Sequence, residues 1–386
     1  MIYFDNAATT KNLESSADIL RDILVNQYAN PASASKKGLE AEKLIRGGSK
    51  VIADIINCNQ DEIYFTSGGS EGDNWAIFGT AEGYIRSGKH IITTKTEHPA
   101  VLEPIKVLES RGYEISYVPV DNMGYVDILA LENLIRKDTI LVSIIFANNE
   151  TGTVQDMEKI GKVIKQKNPD TIFHTDAVQA FGKCNINVKK MNIDILTASG
   201  HKFHAPKGSG FNYIRNGIKV KPLIYGGGQQ KGQRAGTENT AMVAALVNSA
   251  EESYKNILEH SEKVKEVKKA LWEGILSNIP DVSINGDSIE NANPYVLNVA
   301  FKDIRSEVLL HALEEKDIYV SAGSACDSRK KALSHVLSAM NVSPELIEGS
   351  IRFSFSRFNT VSEAEKCVAE LCKVVPMLRR VQRMRR

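Results

Sequence analysis

Between residues 60 and 225, short apolar runs rich in β-branched and aromatic residues alternate with longer segments whose apolar positions recur three and four apart. The runs Glu62 to Phe65, His90 to Thr94, Thr139 to Phe146, Thr171 to His174, Asp194 to Thr197 and Gly210 to Ile214 predict strands. Between them, segments such as Asp156 to Lys167 carry an apolar stripe at helical spacing. Strand and helix in strict alternation predict βαβ units, a mostly parallel sheet and helices on both of its faces. Ligands of such a sheet bind beyond the carboxyl ends of its strands.

Past Gly236-Thr237-Glu238-Asn239 the pattern changes. A long helical stretch from about Ala241 to Ile275 leads to strands over Tyr295 to Phe301, Ile318 to Ser321 and Ile351 to Phe355. This predicts a second, smaller α+β domain, and a chain of 386 residues is long enough for both. No Pro/Gly/Ser-rich spacer separates them, so the boundary is expected inside a helix near Glu259.

Acidic and basic residues nearly cancel to a formal charge of +1, which gives no general attraction to nucleic acid or to an anionic membrane. Only the end is basic, with Arg379, Arg380, Arg383, Arg385 and Arg386; this reads as the last turn of a helix or as a contact for an acidic partner. Without a leader-like start or a long apolar run, the expected setting is the cytoplasm. Cys58, Cys184, Cys326, Cys367 and Cys372 are scattered and odd in number, which argues against a disulfide framework and a zinc site. Four of them sit among apolar or helical residues and read as bystander thiols. Cys326 differs, lying in Ser321-Ala322-Gly323-Ser324-Ala325-Cys326 with Arg329, Lys330 and Lys331 just downstream. Positive charge and exposure favour a reactive thiolate there.

Four clusters follow predicted strand ends. Lys202, in Ser199-Gly200-His201-Lys202, stands in a glycine-punctuated turn after a run buried on both faces. An amine so placed attacks aldehydes once burial or a cationic neighbour lowers its pKa, although a solvated loop lysine has the same local sequence. Phe65-Thr66-Ser67-Gly68-Gly69-Ser70 is a strand, a glycine turn and a helix start, able to bind a phosphate but lacking the P-loop lysine and the dinucleotide spacing. Asp176, in His174-Thr175-Asp176-Ala177-Val178-Gln179, is either a helix cap or a buried acid for a protonated ring nitrogen, with Gln179 as a donor beside it. His98, in Glu97-His98-Pro99, can stack on an aromatic cofactor and exchange protons near neutral pH, or simply be a satisfied histidine. Arg352 and Arg357 follow late in the chain, and an arginine near such a site can clamp a carboxylate.

Taken together, these motifs resemble the cysteine desulfurases, pyridoxal-phosphate enzymes of the class V aminotransferase group with fold type I. The resemblance runs from Asp5-Asn6-Ala7-Ala8-Thr9-Thr10 to Arg357-Phe358-Asn359-Thr360, with Asn148-Asn149-Glu150-Thr151-Gly152 and Gly226-Gly227-Gly228-Gln229 in the expected order between. It implies a seven-stranded, mostly parallel sheet in a large cofactor domain over 15–258. A small domain would comprise 1–14 and 259–386, with a mobile cysteine loop at about 322–336. It further implies Lys202 as the Schiff-base lysine, Asp176 on the pyridine nitrogen, His98 stacked on the ring, and Gln179 with Asn149 on the phenolic oxygen. Gly69, Ser70, Ser199 and His201 would cradle the phosphate, with Thr237 reaching in from the second subunit of a homodimer. Arg357 and Asn149 would bind the carboxylate of L-cysteine, and Cys326 would take the sulfur as a persulfide, giving L-alanine.

The implied partner is a sulfur acceptor, such as an iron–sulfur scaffold or a tRNA-thiolating enzyme, with no membrane, direct nucleic acid or metal involved. Ser35 stands where a histidine is common in the group, Gly69-Ser70 where Ala-Thr is usual, and the run Asp327 to Lys331 is unusually charged. A selenocysteine lyase, a sulfur carrier without catalysis and a nucleotide-binding protein are the competing readings.

Overall fold

The computed structural model describes residues 1–322 and 333–384. Its centre is a seven-stranded sheet of β1 (Ile63–Thr66), β2 (His90–Thr94), β3 (Glu114–Val118), β4 (Thr139–Ser143), β5 (Ile172–Asp176), β6 (Ile195–Ser199) and β7 (Gly210–Ile214). The order across the sheet is β1-β7-β6-β5-β4-β2-β3. Strands β2 to β6 are parallel to their neighbours, while β7 lies antiparallel between β6 and β1. Two reversals restore direction, so β1 ends on the same edge as β2, β4, β5 and β6. The sequence pattern predicts six of these strands and omits β3. That strand sits at the sheet edge and begins on the exposed Glu114, so it lacks the continuous apolar run that marks its buried neighbours. The strand expected to reach Phe146 ends at Ser143, although Ile144 and Phe146 still donate to His174 and Asp176 across the edge.

Alternate residues of each strand point to opposite faces. Ile92, Val142, Phe173 and Leu196 meet α2 (Lys36–Ile56), α6 (Met157–Lys167) and α7 (Thr240–Tyr254) on one side. Their neighbours Ile91, Leu141, Ile172 and Ile195 meet α3 (Gly69–Gly83) and α4 (Pro99–Ser110) on the other. The helical stretch expected from Ala241 to Ile275 is two helices, α7 and α8 (Ile257–Asn278), separated at Lys255–Asn256. Beyond the break the apolar contacts change sides. Val264 and Leu271 of α8 pack with Leu297, Phe353 and Leu371 in a second core.

That second core covers a four-stranded antiparallel sheet, in the order β10-β11-β9-β8, of β8 (Val282–Ile284), β9 (Val296–Phe301), β10 (Ser321–Ala322) and β11 (Ser350–Ser354). The N-terminus belongs to this body. Ile2–Tyr3 pairs with Ile318–Tyr319, Phe4 lies in the second core, and Asp5 bridges to Ser354. The chain then crosses to the large sheet, where Thr10 donates to the carbonyl of His201 at 2.9 Å. The loop expected over 322–336 has regular structure at both ends, since Ala322 closes β10 and His335 opens a short helix, His335–Ala339. No helix among the described residues is long and apolar enough to cross a membrane.

Candidate active site

Strand and helix ends from both bodies line one cavity of about 460 Å³. At one end lies the β1–α3 turn. Gly68 caps α3 at φ 146° and ψ −172°, a region essentially reserved for glycine. A Cβ on Gly69 would come within 2.8 Å of Val178 Cγ2, so a side chain there would have to displace that valine, whereas glycine leaves the backbone open to a ligand. Gly69 and Ser70 line the cavity at the positive end of a 15-residue helix, an anion cradle by geometry. Ser199, at the end of β6, and His201 line the same region. The His201 Nδ1 lies 3.2 Å from Thr9 Oγ1, and burial together with the Lys202 charge pushes its pKa down to about 4.

The β2 and β5 ends and helix α3 supply buried acids. Asp176 closes β5, and its Oδ1 accepts from the Val178 amide at 2.9 Å. Burial first, and the nearby Asp73 second, push its pKa up to about 7. Asp73 of α3, also raised to about 7 by burial, lies 3.5 Å from Nε2 of His174. That imidazole also contacts Ser143 Oγ at 2.9 Å and Thr197 Oγ1 at 3.2 Å, and burial drives its pKa down to about 4. A third acid, Glu97, accepts from Thr94 Oγ1 and the Ile145 amide, both at 2.9 Å, and burial raises it well above its ordinary value. Three buried carboxyls beside a neutral histidine form a wall that readily keeps protons near neutral pH.

His98 caps α4, where its Nδ1 accepts from the Ala100 amide at 3.1 Å. The proton of the neutral ring is therefore on Nε2. Burial lowers its pKa, opposed by Asp176 and helped by Lys202. Lys202 sits in the single turn Gly200–Lys202 after β6, and its Nζ donates to the carbonyls of Ala7 at 2.6 Å and Ala8 at 2.8 Å. Gln179 donates to the same Ala7 carbonyl at 2.9 Å. Opposite them, Arg352 of β11 pairs with Asp5 at 2.9 Å and donates to the Asn149 carbonyl at 3.0 Å. Its Nε is buried without a hydrogen-bond partner among the described residues. A buried, unmatched guanidinium edge is expensive unless an acceptor fills it.

The cavity thus gathers Lys202, Asp176, His98, Gln179, Asn149, Gly69, Ser70, Ser199 and His201. Three of the predicted residues are not among them. Arg357 points away, donating to the Glu252 carbonyl at 2.7 Å and lining a separate water-sized cavity of about 20 Å³ behind Lys202. Thr237 lies on another surface cavity, of about 260 Å³, beside Arg234 and Asn239. Cys326 lies outside the described residues, although Ala322 lines the cavity. Burial raises the thiols of Cys58 to about 12 and of Cys184 to about 11, which keeps them protonated and unreactive.

Sequence reasoning did not assign Asp5 or Asp73 to the site, and of the two arginines it raised as carboxylate clamps, Arg352 and Arg357, it gave the role to Arg357. An arginine inside the strand run Ile351-Arg352-Phe353 has to find a partner when buried, whereas Arg357 follows the strand and need not.

Residues 2–367 match the family model for class-V aminotransferases. A cysteine desulfurase IscS of Methanosarcina thermophila is 43% identical over 378 residues, covering 98% of this chain and 93% of that protein. A cysteine desulfurase of a Nostoc species is 41% identical, covering 98% and 94%. Among solved structures, a NifS-like protein superposes with a TM-score of 0.92 at 35% identity, covering 98% of this chain and all of that one. A structure described as SspA in complex with cysteine does so with a TM-score of 0.82 at 34% identity, covering 93% and all of it. The chain belongs to the class-V aminotransferase family, among its pyridoxal-phosphate-dependent cysteine desulfurases.

Proposed function

We propose that this cavity holds pyridoxal phosphate and L-cysteine together, and that the convergence of Lys202, Asp176, His98 and Arg352 on it carries the reading. The donor set fits the cofactor. Gly69, Ser70, Ser199 and His201 suit a phosphate, and Asp176, raised to about 7 chiefly by burial, suits a protonated ring nitrogen. His98 would stack on the ring, and Gln179 and Asn149 would hold its phenolic oxygen. When bound, the cofactor withdraws electrons from the amino acid, which side chains alone cannot do.

The chain's own residues do the rest. Arg352 takes the substrate carboxylate, with Asp5 holding the guanidinium in place beforehand; this role falls to Arg352 because Arg357 faces the other way. Lys202 anchors the cofactor and moves the proton on the substrate Cα. Neutral His98, protonated on Nε2, can give a proton to the reacting amino acid and recover it. The Cβ–Sγ bond of L-cysteine breaks, the sulfur passes to the Cys326 thiolate as a persulfide, and the carbon skeleton leaves as L-alanine. A protein thiol outside the chain then takes the sulfur. The same reading makes the working unit a cytoplasmic homodimer, with the partner subunit's Thr237 at the phosphate.

The test is release of L-alanine and sulfide from L-cysteine with dithiothreitol. Wild type turns over, Lys202→Ala loses the visible absorbance of the lysine-linked cofactor and about 10³-fold or more in rate, and Cys326→Ala loses turnover while keeping the absorbance. Turnover retained in Cys326→Ala would remove the persulfide step.

A further inference from the structure

We propose that Lys183 is a positioning residue for this reaction: its side chain fixes the Gln179 amide with the nitrogen toward the cavity, and its charge keeps a proton off the Lys202 amine. The proposal rests on the roles given above to Gln179 and Lys202. Lys183 follows the end of β5 by seven residues, outside the strand-end motif that holds Asp176 and Gln179.

Lys183 Nζ lies 2.8 Å from Gln179 Oε1. On its other side the amide nitrogen of Gln179 donates to the Ala7 carbonyl at 2.9 Å. An ammonium only donates and a carbonyl only accepts, so both neighbours fix the same orientation. Turning the amide over would set N–H against ammonium and oxygen against oxygen, losing both bonds. The second N–H of Gln179 is thereby left for the cavity it lines, where it can serve an acceptor but not a donor. The network closes on the catalytic lysine, because Lys202 donates to that same Ala7 carbonyl at 2.6 Å.

The two lysines also share the small cavity behind the site, and Lys183 lies 5.7 Å from the Tyr295 ring centre, with the ammonium over the aromatic face. Burial first, and the charge of Lys202 second, pull the Lys183 amine down to about 7. Repulsion between two cations is mutual, so a charged Lys183 favours the neutral form of Lys202. The other charged or titratable groups sharing a cavity with Lys202 are Asp5, Asp73, Glu150 and Asp176, Arg352 and Arg357, His98, His201, His204 and His260, and Tyr295. They are unchanged by substitution at Lys183, so a comparison of variants isolates its charge.

The experiment loads wild type, Lys183→Met, Lys183→Gln and Lys183→Arg with pyridoxal phosphate and follows the visible absorbance of the Lys202-linked cofactor against pH, without substrate. In Lys183→Met the midpoint rises by about one pH unit, because the repelling charge is gone, and kcat/KM falls about tenfold as the amide loses its fixed orientation. Lys183→Arg keeps the charge and the donor and holds the wild-type midpoint. A Lys183→Met midpoint equal to wild type overturns the proposal, since methionine fills the space equally well. Should Lys183→Met take up no cofactor, Lys183→Gln and Lys183→Arg decide: a raised midpoint in the first alone supports the proposal, and equal midpoints overturn it. Failure of the underlying reading looks different, as pH-dependent absorbance persisting in Lys202→Ala.

Discussion

The wall built from β2, β4, β5 and α3 and the wall built from the Lys202 turn, the N-terminal segment and β11 enclose one cavity with opposite charge. The first carries Asp73 and Asp176, with Glu97 and a neutral His174 buried behind them; the second carries Lys202 and Arg352, the latter paired with Asp5, with Lys183 behind. Burial acts on both in opposite senses. It raises the acids, so they keep protons or welcome a protonated ring, and it lowers the amine of Lys183. A site with an acid-rich and a base-rich side can hold a zwitterionic substrate and a cofactor that is cationic at the ring and anionic at the phosphate. Under the proposed function, this difference between the walls is what serves proton movement at one carbon near neutral pH.

The largest way to break this comparison is to neutralise the acidic wall at the cofactor. Asp176→Asn should reduce the rate of alanine formation on the order of 10²-fold, since a carboxylate holding a ring proton is worth about two pKa units. Steady-state kinetics at saturating pyridoxal phosphate checks it. On the basic wall, Arg352→Met should raise the KM for L-cysteine about 30-fold, the cost of losing a charge-assisted pair, while Arg357→Met changes it less than about threefold. The reverse ranking would return the carboxylate to Arg357.

The smallest effect sharpens the picture rather than breaking it. Asp73 and Asp176 titrate near 7 in the folded chain and near 4 when unfolded, so between those values the folded state binds more protons. Cofactor-free protein should therefore lose stability as pH rises from about 4 to about 7 and level off above that. Asp73→Asn should flatten the loss, narrowing the melting-temperature difference between pH 5 and pH 7.5 by about 2 °C. A calorimetric series in the two proteins measures it.

Much of the site was legible because its residues lie close in sequence to strand ends. Asp176 closes β5, and Lys202 and His98 follow β6 and β2 by a few residues, so a strand pattern and a short motif place each near the ligand edge. The six buried strands declared themselves by continuous apolar runs, and the half-exposed edge strand Glu114–Val118 did not. The choice between the two arginines is equally hidden from the sequence. Arg352 and Arg357 are five residues apart in one arginine-bearing stretch, and only the pairing of β11 with β9 and β10 shows which one faces the cavity.

By itself, then, the sequence determined the sheet, the order of its motifs and the acid, lysine and glycine turn that each strand end presents, because these follow from patterns a few residues long. The tertiary structure decided what those groups face. Asp5 meets Arg352 across 347 residues and Lys202 meets Ala7 across 195. Such contacts depend on how the N-terminal segment threads between the two bodies, and on burial that sets each charge. Neither has a local signature, since the free energy that fixes them is gained only when distant surfaces pack.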